Sequence, residues 1–182
     1  MSFNLLDRIA EECSEFLLNS KGQPLVKTLK KNTANFRKVK VRTKFQKNDF
    51  IEAFNEAFEE EYRNIYGRSI FCNGDHSVEY SDEYEKVYVI PTNGFRYLYN
   101  PNITFIEEYK KIYEKLSCRM SEANAESLFV DMIEYSYKNN TSSFAEASFS
   151  QKEIIIYGIP YYYAVKVNKF PSYSDLISVL KT

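Results

Sequence analysis

The sequence has few histidines, cysteines and glycines, and it has no tryptophan. Its 182 residues include one histidine, three cysteines and five glycines. A single histidine excludes most metal sites that are built on imidazole ligands. Cys13, Cys72 and Cys118 are odd in number, far apart and without C-x-x-C spacing. We therefore predict three free thiols, no disulfide framework and no bound metal.

Long apolar runs and the common catalytic motifs are also missing. No apolar stretch approaches the roughly 18 residues of a membrane-spanning helix, and the acidic N-terminus does not resemble a secretory signal. We therefore expect a cytoplasmic protein without membrane association. The sequence contains no nucleophile elbow, P-loop, dinucleotide-binding glycine motif or zinc-protease motif. His76 lies in the acidic stretch 73–86 and is interpreted as a solvated surface residue.

The overall composition is that of an ordinary folded domain with many aromatic residues. Hydrophobic residues make up 44% and charged residues 27% of the chain, values close to the average for soluble proteins. The length fits one domain, so residues 1–182 are predicted to form a single domain with a core rich in its 16 Tyr and 14 Phe. Abundant Asn and Lys with few Gly are typical of AT-rich genomes, such as those of many bacteriophages.

Positive charge is concentrated in one segment, although the net charge of the chain is only -1. Residues 21–47 contain ten Lys or Arg and no Asp or Glu. Such a segment is a solvated face, a surface that binds the phosphates of a nucleic acid, or a docking surface for an acidic protein, and the sequence leaves all three open. Its second half alternates basic and apolar residues, which predicts that it leads into a first strand at 38–45.

The apolar periodicity predicts an α+β fold in which amphipathic helices flank a mostly antiparallel central sheet. An N-terminal helix within residues 1–20 precedes the basic segment 21–47, and residues 48–182 contain the remaining helices and strands. We predict helices at 3–18, from Asn48 or Asp49, at 105–117, after Ser121 and at 172–182. We predict strands in 68–75 and 86–102 and a strand pair in 153–167. A polar loop is expected at 138–151.

Three short segments together resemble the mono-ADP-ribosyltransferase family. Arg42 lies on an early predicted strand, Ser69 to Asn73 lie on a later strand after a helix, and Gln151-Lys152-Glu153 opens the strand EIIIYGIPYYYAVKV. The family has the same order of features. A strand with an arginine comes first, a strand with small polar residues follows, and a Q-x-E segment then leads into a β-hairpin. The resemblance extends over most of residues 38–168.

The resemblance implies an ADP-ribosyltransferase-like fold and a site for NAD, which is the substrate of the family. Glu153 would be the catalytic carboxylate and Gln151 the residue that recognises the acceptor, both on one face of the strand. Arg42 would hold the diphosphate of NAD, together with binding contributions from Ser69, Cys72 and Asn73. The segment SIFCNG departs from the Ser-Thr-Ser pattern of the family.

Two functions follow as expectations, and whether the chain is an enzyme stays open between them. The first is transfer of ADP-ribose from NAD to a host protein or nucleic acid. The second is a non-catalytic phage accessory or counter-defence protein that binds and modulates a host protein through the basic segment.

Overall fold

An antiparallel sheet of seven strands organises the chain in the computed structural model, which describes residues 5–43, 47–58, 62, 64–74, 81–138, 142–150 and 152–181. These residues form a single α+β domain. The strands are β1 (Val26–Lys30), β2 (Phe36–Lys40), β3 (Ile70–Asn73), β4 (Tyr84–Pro91), β5 (Arg96–Tyr99), β6 (Glu153–Tyr157) and β7 (Tyr161–Lys166). The helices are α1 (Leu5–Glu12), α2 (Ser14–Asn19), α3 (Asp49–Glu56), α4 (Ile106–Ser117), α5 (Glu122–Lys138), α6 (Phe144–Phe149) and α7 (Tyr173–Lys181).

The strand order is β2-β7-β4-β1-β3-β6-β5, so β1 lies in the middle of the sheet. β1 pairs with β4 over five residues but with β3 only at Val26 and Asn73. The sheet is therefore a four-stranded part, β2-β7-β4-β1, that is joined to a three-stranded part, β3-β6-β5, through a single residue pair.

Two groups of helices cover the sheet and create two apolar cores. The first core contains buried residues of α1, α2, α6 and α7 together with residues of all the strands except β2, which contributes partly buried side chains. The second core lies between α3, α4 and α5 and the three-stranded part of the sheet, where Ile155 and Tyr157 contribute from β6. Aromatic rings contact each other throughout the second core, including Phe50, Phe54 and Phe129. The predicted aromatic core is therefore confirmed.

Side-chain caps define the beginnings of several helices. The side-chain oxygen of Asn48 accepts a hydrogen bond from the Ile51 amide at 2.9 Å, so Asn48 is the cap of α3. Ser172 accepts from the amide of Asp175 at the beginning of α7. Helices α3, α4, α5 and α7 confirm the corresponding sequence predictions.

Three local predictions are wrong. The helix expected at 3–18 is two helices, because the backbone of Cys13, with φ -122° and ψ 16°, interrupts it. The basic segment contains two strands rather than one, and β1 was not predicted. The polar loop expected at 138–151 contains α6, whose first turn is capped reciprocally by Ser143 and Glu146.

The strands at 153–167 are confirmed, but their predicted pairing is wrong. β6 pairs with β3 and β5, whereas β7 pairs with β2 and β4. The chain turns at Gly158, where φ is +85°, and crosses from the three-stranded part to the four-stranded part. The two strands therefore do not form a hairpin. β5 forms the edge of the sheet opposite β2.

None of the helices in the described ranges is both long enough and apolar enough to cross a membrane. Cys13 and Cys72 are buried and Cys118 is exposed, and all three, which lie within the described residues, are free thiols as predicted.

Candidate functional site

A cleft of about 700 Å³ opens beside the four-stranded part of the sheet. Residues of β1 and β2 line one side, and the beginning of α3, the short 3-10 helix Tyr66–Arg68 and the beginning of β3 line the other. Its volume falls within the range of about 300–1,000 Å³ that is typical of small-molecule sites. Arg42 and Ser69, which are far apart in the sequence, both line it.

The charge of the cleft has one sign. Lys27, Lys30, Lys40 and Arg42 line it, and no Asp or Glu is found among its described lining residues. Lys30, Lys40 and Arg42 are exposed to solvent, so their charged groups are accessible to a ligand. Because a phosphate group is stabilised by several nearby cations, the cleft is suited to a phosphorylated ligand.

Aromatic side chains form the apolar part of the cleft. Tyr66, Phe71, Tyr84 and Tyr162 line it together with Leu29, Val39 and Val41. The rings of Tyr66 and Phe71 contact each other at an interplanar angle of 55°, with centroids 5.3 Å apart, and both residues are partly exposed. A planar base can pack on faces of this kind, since every nucleobase has a π-face.

The arginine predicted to bind the diphosphate lies beyond the strand on which it was expected. β2 ends at Lys40, and the amide of Val41 donates a last hydrogen bond to the carbonyl of Pro160 at 3.0 Å. Arg42 follows as an exposed residue. The prediction that Arg42 is part of a strand is therefore wrong, because pairing with β7 stops at Val41.

Ser69, which directly precedes β3, and Cys72 and Asn73 of β3 have different environments. The Ser69 hydroxyl donates to the carbonyl of Ile65 at the end of the cleft. Cys72 is buried in the first core, and desolvation raises the pKa of its thiol to about 12. Asn73 is buried beside Glu153, and its side-chain oxygen has no hydrogen-bond partner within the described residues.

Glu153 begins β6 and lies directly opposite Asn73 of β3. One carboxylate oxygen of Glu153 accepts a hydrogen bond of 2.7 Å from the amide of Ile106, the first residue of α4. Burial raises the pKa of Glu153 to about 7. The hydrogen bond from Ile106 and the charge of Lys27 lower this pKa, whereas the charges of Glu107 and Glu108 raise it further. Glu153 is thus a partly buried carboxyl group that titrates near neutrality.

Lys27 lines the cleft and also acts on Glu153, although it is not among the site residues predicted from the sequence. Its ammonium group donates to the carbonyl of Phe71 at 2.8 Å, lines the cleft and also acts on the pKa of Glu153. The local signal for β1 is weak, because Val26 and Leu29 in VKTLK are three residues apart and give no period-2 alternation.

The sheet order separates Arg42 from Glu153. Four strands, β7, β4, β1 and β3, lie between β2 and β6. At about 4.8 Å for each of the five steps, the two strands are about 24 Å apart across a flat sheet. The lining of the cleft includes Arg42, Lys27 and Ser69 but not Glu153, which lies one strand beyond its β3 wall. Gln151 and His76 lie outside the described residues.

A second polar cleft of about 550 Å³ lies at the opposite end of β1 and includes Lys31, Tyr84 and Lys166. Glu85 in this cleft is held between Lys166 and Arg37, each at 3.1 Å. The carboxylate of Glu85 therefore already has two cationic partners within the protein. Within the described part of the chain, no group of three or more His, Cys, Asp or Glu residues is arranged to hold a metal ion.

Comparison with protein-family models, with curated proteins and with solved structures finds no significant match to this chain.

Proposed function

We propose that the protein binds NAD in the basic cleft and belongs functionally with the ADP-ribosyltransferases. The observation that carries the proposal is the composition of the cleft, whose described lining residues include four cations and four aromatic side chains but no carboxylate. A dinucleotide has the matching chemistry, with a diphosphate between two planar bases. Arg42 and the exposed lysines are suited to the diphosphate, and Tyr66 and Phe71 to a base.

The reaction in this proposal takes place at the β3 end of the cleft, towards Glu153. The bond between ribose C1′ and the nicotinamide nitrogen breaks, and nicotinamide leaves with the bonding electron pair. The nucleophile of the acceptor forms the new bond at C1′ and releases its proton. Glu153 does not line the cleft, so in this proposal its ionised carboxylate stabilises the positive charge that develops on the ribose from one strand beyond the β3 wall.

Binding is tested first, by calorimetric titration of the protein with NAD, ADP-ribose and a single-stranded oligonucleotide. We expect Arg42→Ala to weaken NAD binding by about tenfold, the scale of one charge-assisted hydrogen bond. The control is Lys181→Ala, which removes an exposed cation from α7, at a distance from the cleft lining. Absence of NAD binding, or equal effects of both substitutions, would refute the proposed site.

Catalysis is tested separately by release of nicotinamide. Glu153→Gln is expected to reduce the rate about 10²- to 10³-fold with little change in NAD affinity, because the carboxylate acts mainly on the developing cation. Since only the ionised carboxylate is active, the wild-type rate should rise with pH through about 7, the pKa of Glu153. NAD binding without nicotinamide release would leave a nucleotide-binding protein and refute the transferase.

The second candidate function is the non-catalytic protein that binds a host protein. The observation that favours it is the exposure of Lys30, Lys31, Lys38 and Lys40, which lie in or beside strands β1 and β2 and outside the partly buried ion pairs of Glu85. Arg37, by contrast, is committed to Glu85 and is not available to a partner.

A further inference from the structure

Strand β2 forms one end of the sheet, and its hydrogen-bonding pattern shows which backbone groups are directed outwards. The amide of Lys166 donates to the carbonyl of Asn35, and the amide of Val41 donates to the carbonyl of Pro160, each at 3.0 Å. In an antiparallel ladder every second residue bonds to the neighbouring strand, so residues 35, 37, 39 and 41 face β7. The amide and carbonyl groups of Phe36, Lys38 and Lys40 consequently point away from the sheet.

The side chains along this edge are basic. Lys38 and Lys40 are exposed, Arg42 follows directly, and residues 26–43 contain no Asp or Glu. The ammonium of the exposed Lys38 lies 3.4 Å from the centroid of the Tyr161 ring, so Lys38 and Tyr161 are on the same face of the sheet. On the same side of the sheet, Glu12 accepts hydrogen bonds from Arg8, Tyr161 and Tyr163, so its carboxylate is already occupied.

We propose that the outer edge of β2 binds an extended acidic segment of another protein, which adds to the sheet as an eighth strand. The outward amide and carbonyl groups of Phe36, Lys38 and Lys40 provide its backbone hydrogen bonds, as in other cases of β-strand addition. Carboxylates on alternate residues of the added strand face Lys38 and Lys40, since opposite charges on neighbouring strands stabilise pairing.

A second copy of the chain does not fit this edge. Two β2 strands side by side would place the exposed lysines of one copy near those of the other, and like charges destabilise cross-strand pairs. The other edge of the sheet, β5, has the sequence RYLY and no acidic residue. Exposed lysines on an edge strand prevent self-association in many proteins. The same charges select an acidic strand from a different molecule.

The experiment uses a synthetic peptide of eight residues in which Glu alternates with Val or Thr, labelled for fluorescence anisotropy. We expect the full chain to bind this peptide and the variant K38E/K40E to bind it at least tenfold more weakly. The matched control is K111E/K115E, which makes the same charge change on exposed residues of α4. Thermal unfolding of both variants verifies that they are folded. Because Lys40 also lines the nucleotide cleft and Lys38 does not, the single variant K38E is titrated with the peptide and with NAD, and we expect it to weaken peptide binding while NAD binding is unchanged.

Methylation of the peptide backbone distinguishes strand addition from simple charge attraction. Two further peptides carry N-methyl groups on alternate residues, one peptide on the odd and the other on the even positions. Because only every second amide faces β2, one methylated peptide should lose binding and the other should retain it. No binding of the parent peptide, equal binding of the two methylated peptides, or equal loss in both charge variants would overturn the proposal.

Discussion

Replacement of Glu153 by Gln tests the electrostatics of the candidate site without any knowledge of the substrate. The carboxyl group of Glu153 is largely buried between β6 and α4, and burial raises its pKa from 4.5 to about 7. In the unfolded chain the same group titrates near 4.5. The folded state therefore holds a proton between these two values that the unfolded state has lost, and its stability falls as pH rises through this interval.

The magnitude follows from the size of the change in pKa. At about 1.36 kcal/mol for each pH unit, the interval from 4.5 to about 7 corresponds to roughly 3 kcal/mol as an upper limit. Gln cannot ionise, and its side-chain oxygen can still accept the hydrogen bond from the Ile106 amide. We expect Glu153→Gln to have nearly wild-type stability at pH 5 and to exceed it by up to about 3 kcal/mol at pH 8.

The assay is urea denaturation of wild type and variants at several pH values between about 3 and 8, so that it extends below the ordinary carboxyl pKa. Glu146→Gln is a control of opposite sign, because the hydrogen bond from the Ser143 amide lowers the pKa of Glu146. Its stabilising effect is present above the unfolded pKa and is lost as pH falls through the folded one. A difference between wild type and Glu153→Gln that does not change with pH would show that burial of Glu153 does not have the proposed effect.

Two further predictions concern how the sheet is held to its helices. Gly74→Ala should lower the free energy of unfolding by about 3 kcal/mol and Tm by about 6–12 °C in calorimetry, because a Cβ at this position would lie 2.0 Å from the backbone oxygen of Ser148. A wild-type Tm would refute the close approach of the end of β3 to α6. Glu12→Gln should destabilise the protein at pH 7 but not at pH 2 or below. The reason is that the hydrogen bond from Tyr163 lowers the pKa of Glu12 to about 2, and Arg8 and Tyr161 contribute to the same decrease. A destabilisation that persists at very low pH in chemical denaturation would contradict this.

The site illustrates what a short motif reveals and what it leaves undecided. The segment QKE identified the beginning of a strand, and Glu153 is its first residue. The cleft, however, is composed of residues from β1, β2 and the beginning of β3, and Lys27 was not among the predicted residues. Its role depends on a hydrogen bond to Phe71, which is 44 residues away in the sequence. No local pattern contains that contact.

The sequence by itself determined the elements whose stabilisation is local. The cap at Asn48, the apolar period of α4 and the Ile- and Tyr-rich strands at 153–167 are properties of neighbouring residues, so their types were predictable. The capping box of Ser143 and Glu146 was also visible in the sequence and was overlooked.

Only the tertiary structure decided which strands are neighbours. β6 and β7 follow each other closely, yet β6 lies between β3 and β5 while β7 lies between β2 and β4. Alternation of apolar residues shows that a strand is buried, but every buried strand offers the same backbone groups to a partner. Burial of two separate cores selects one arrangement among many. That arrangement places Arg42 and Ser69 at one cleft and puts four strands between Arg42 and Glu153.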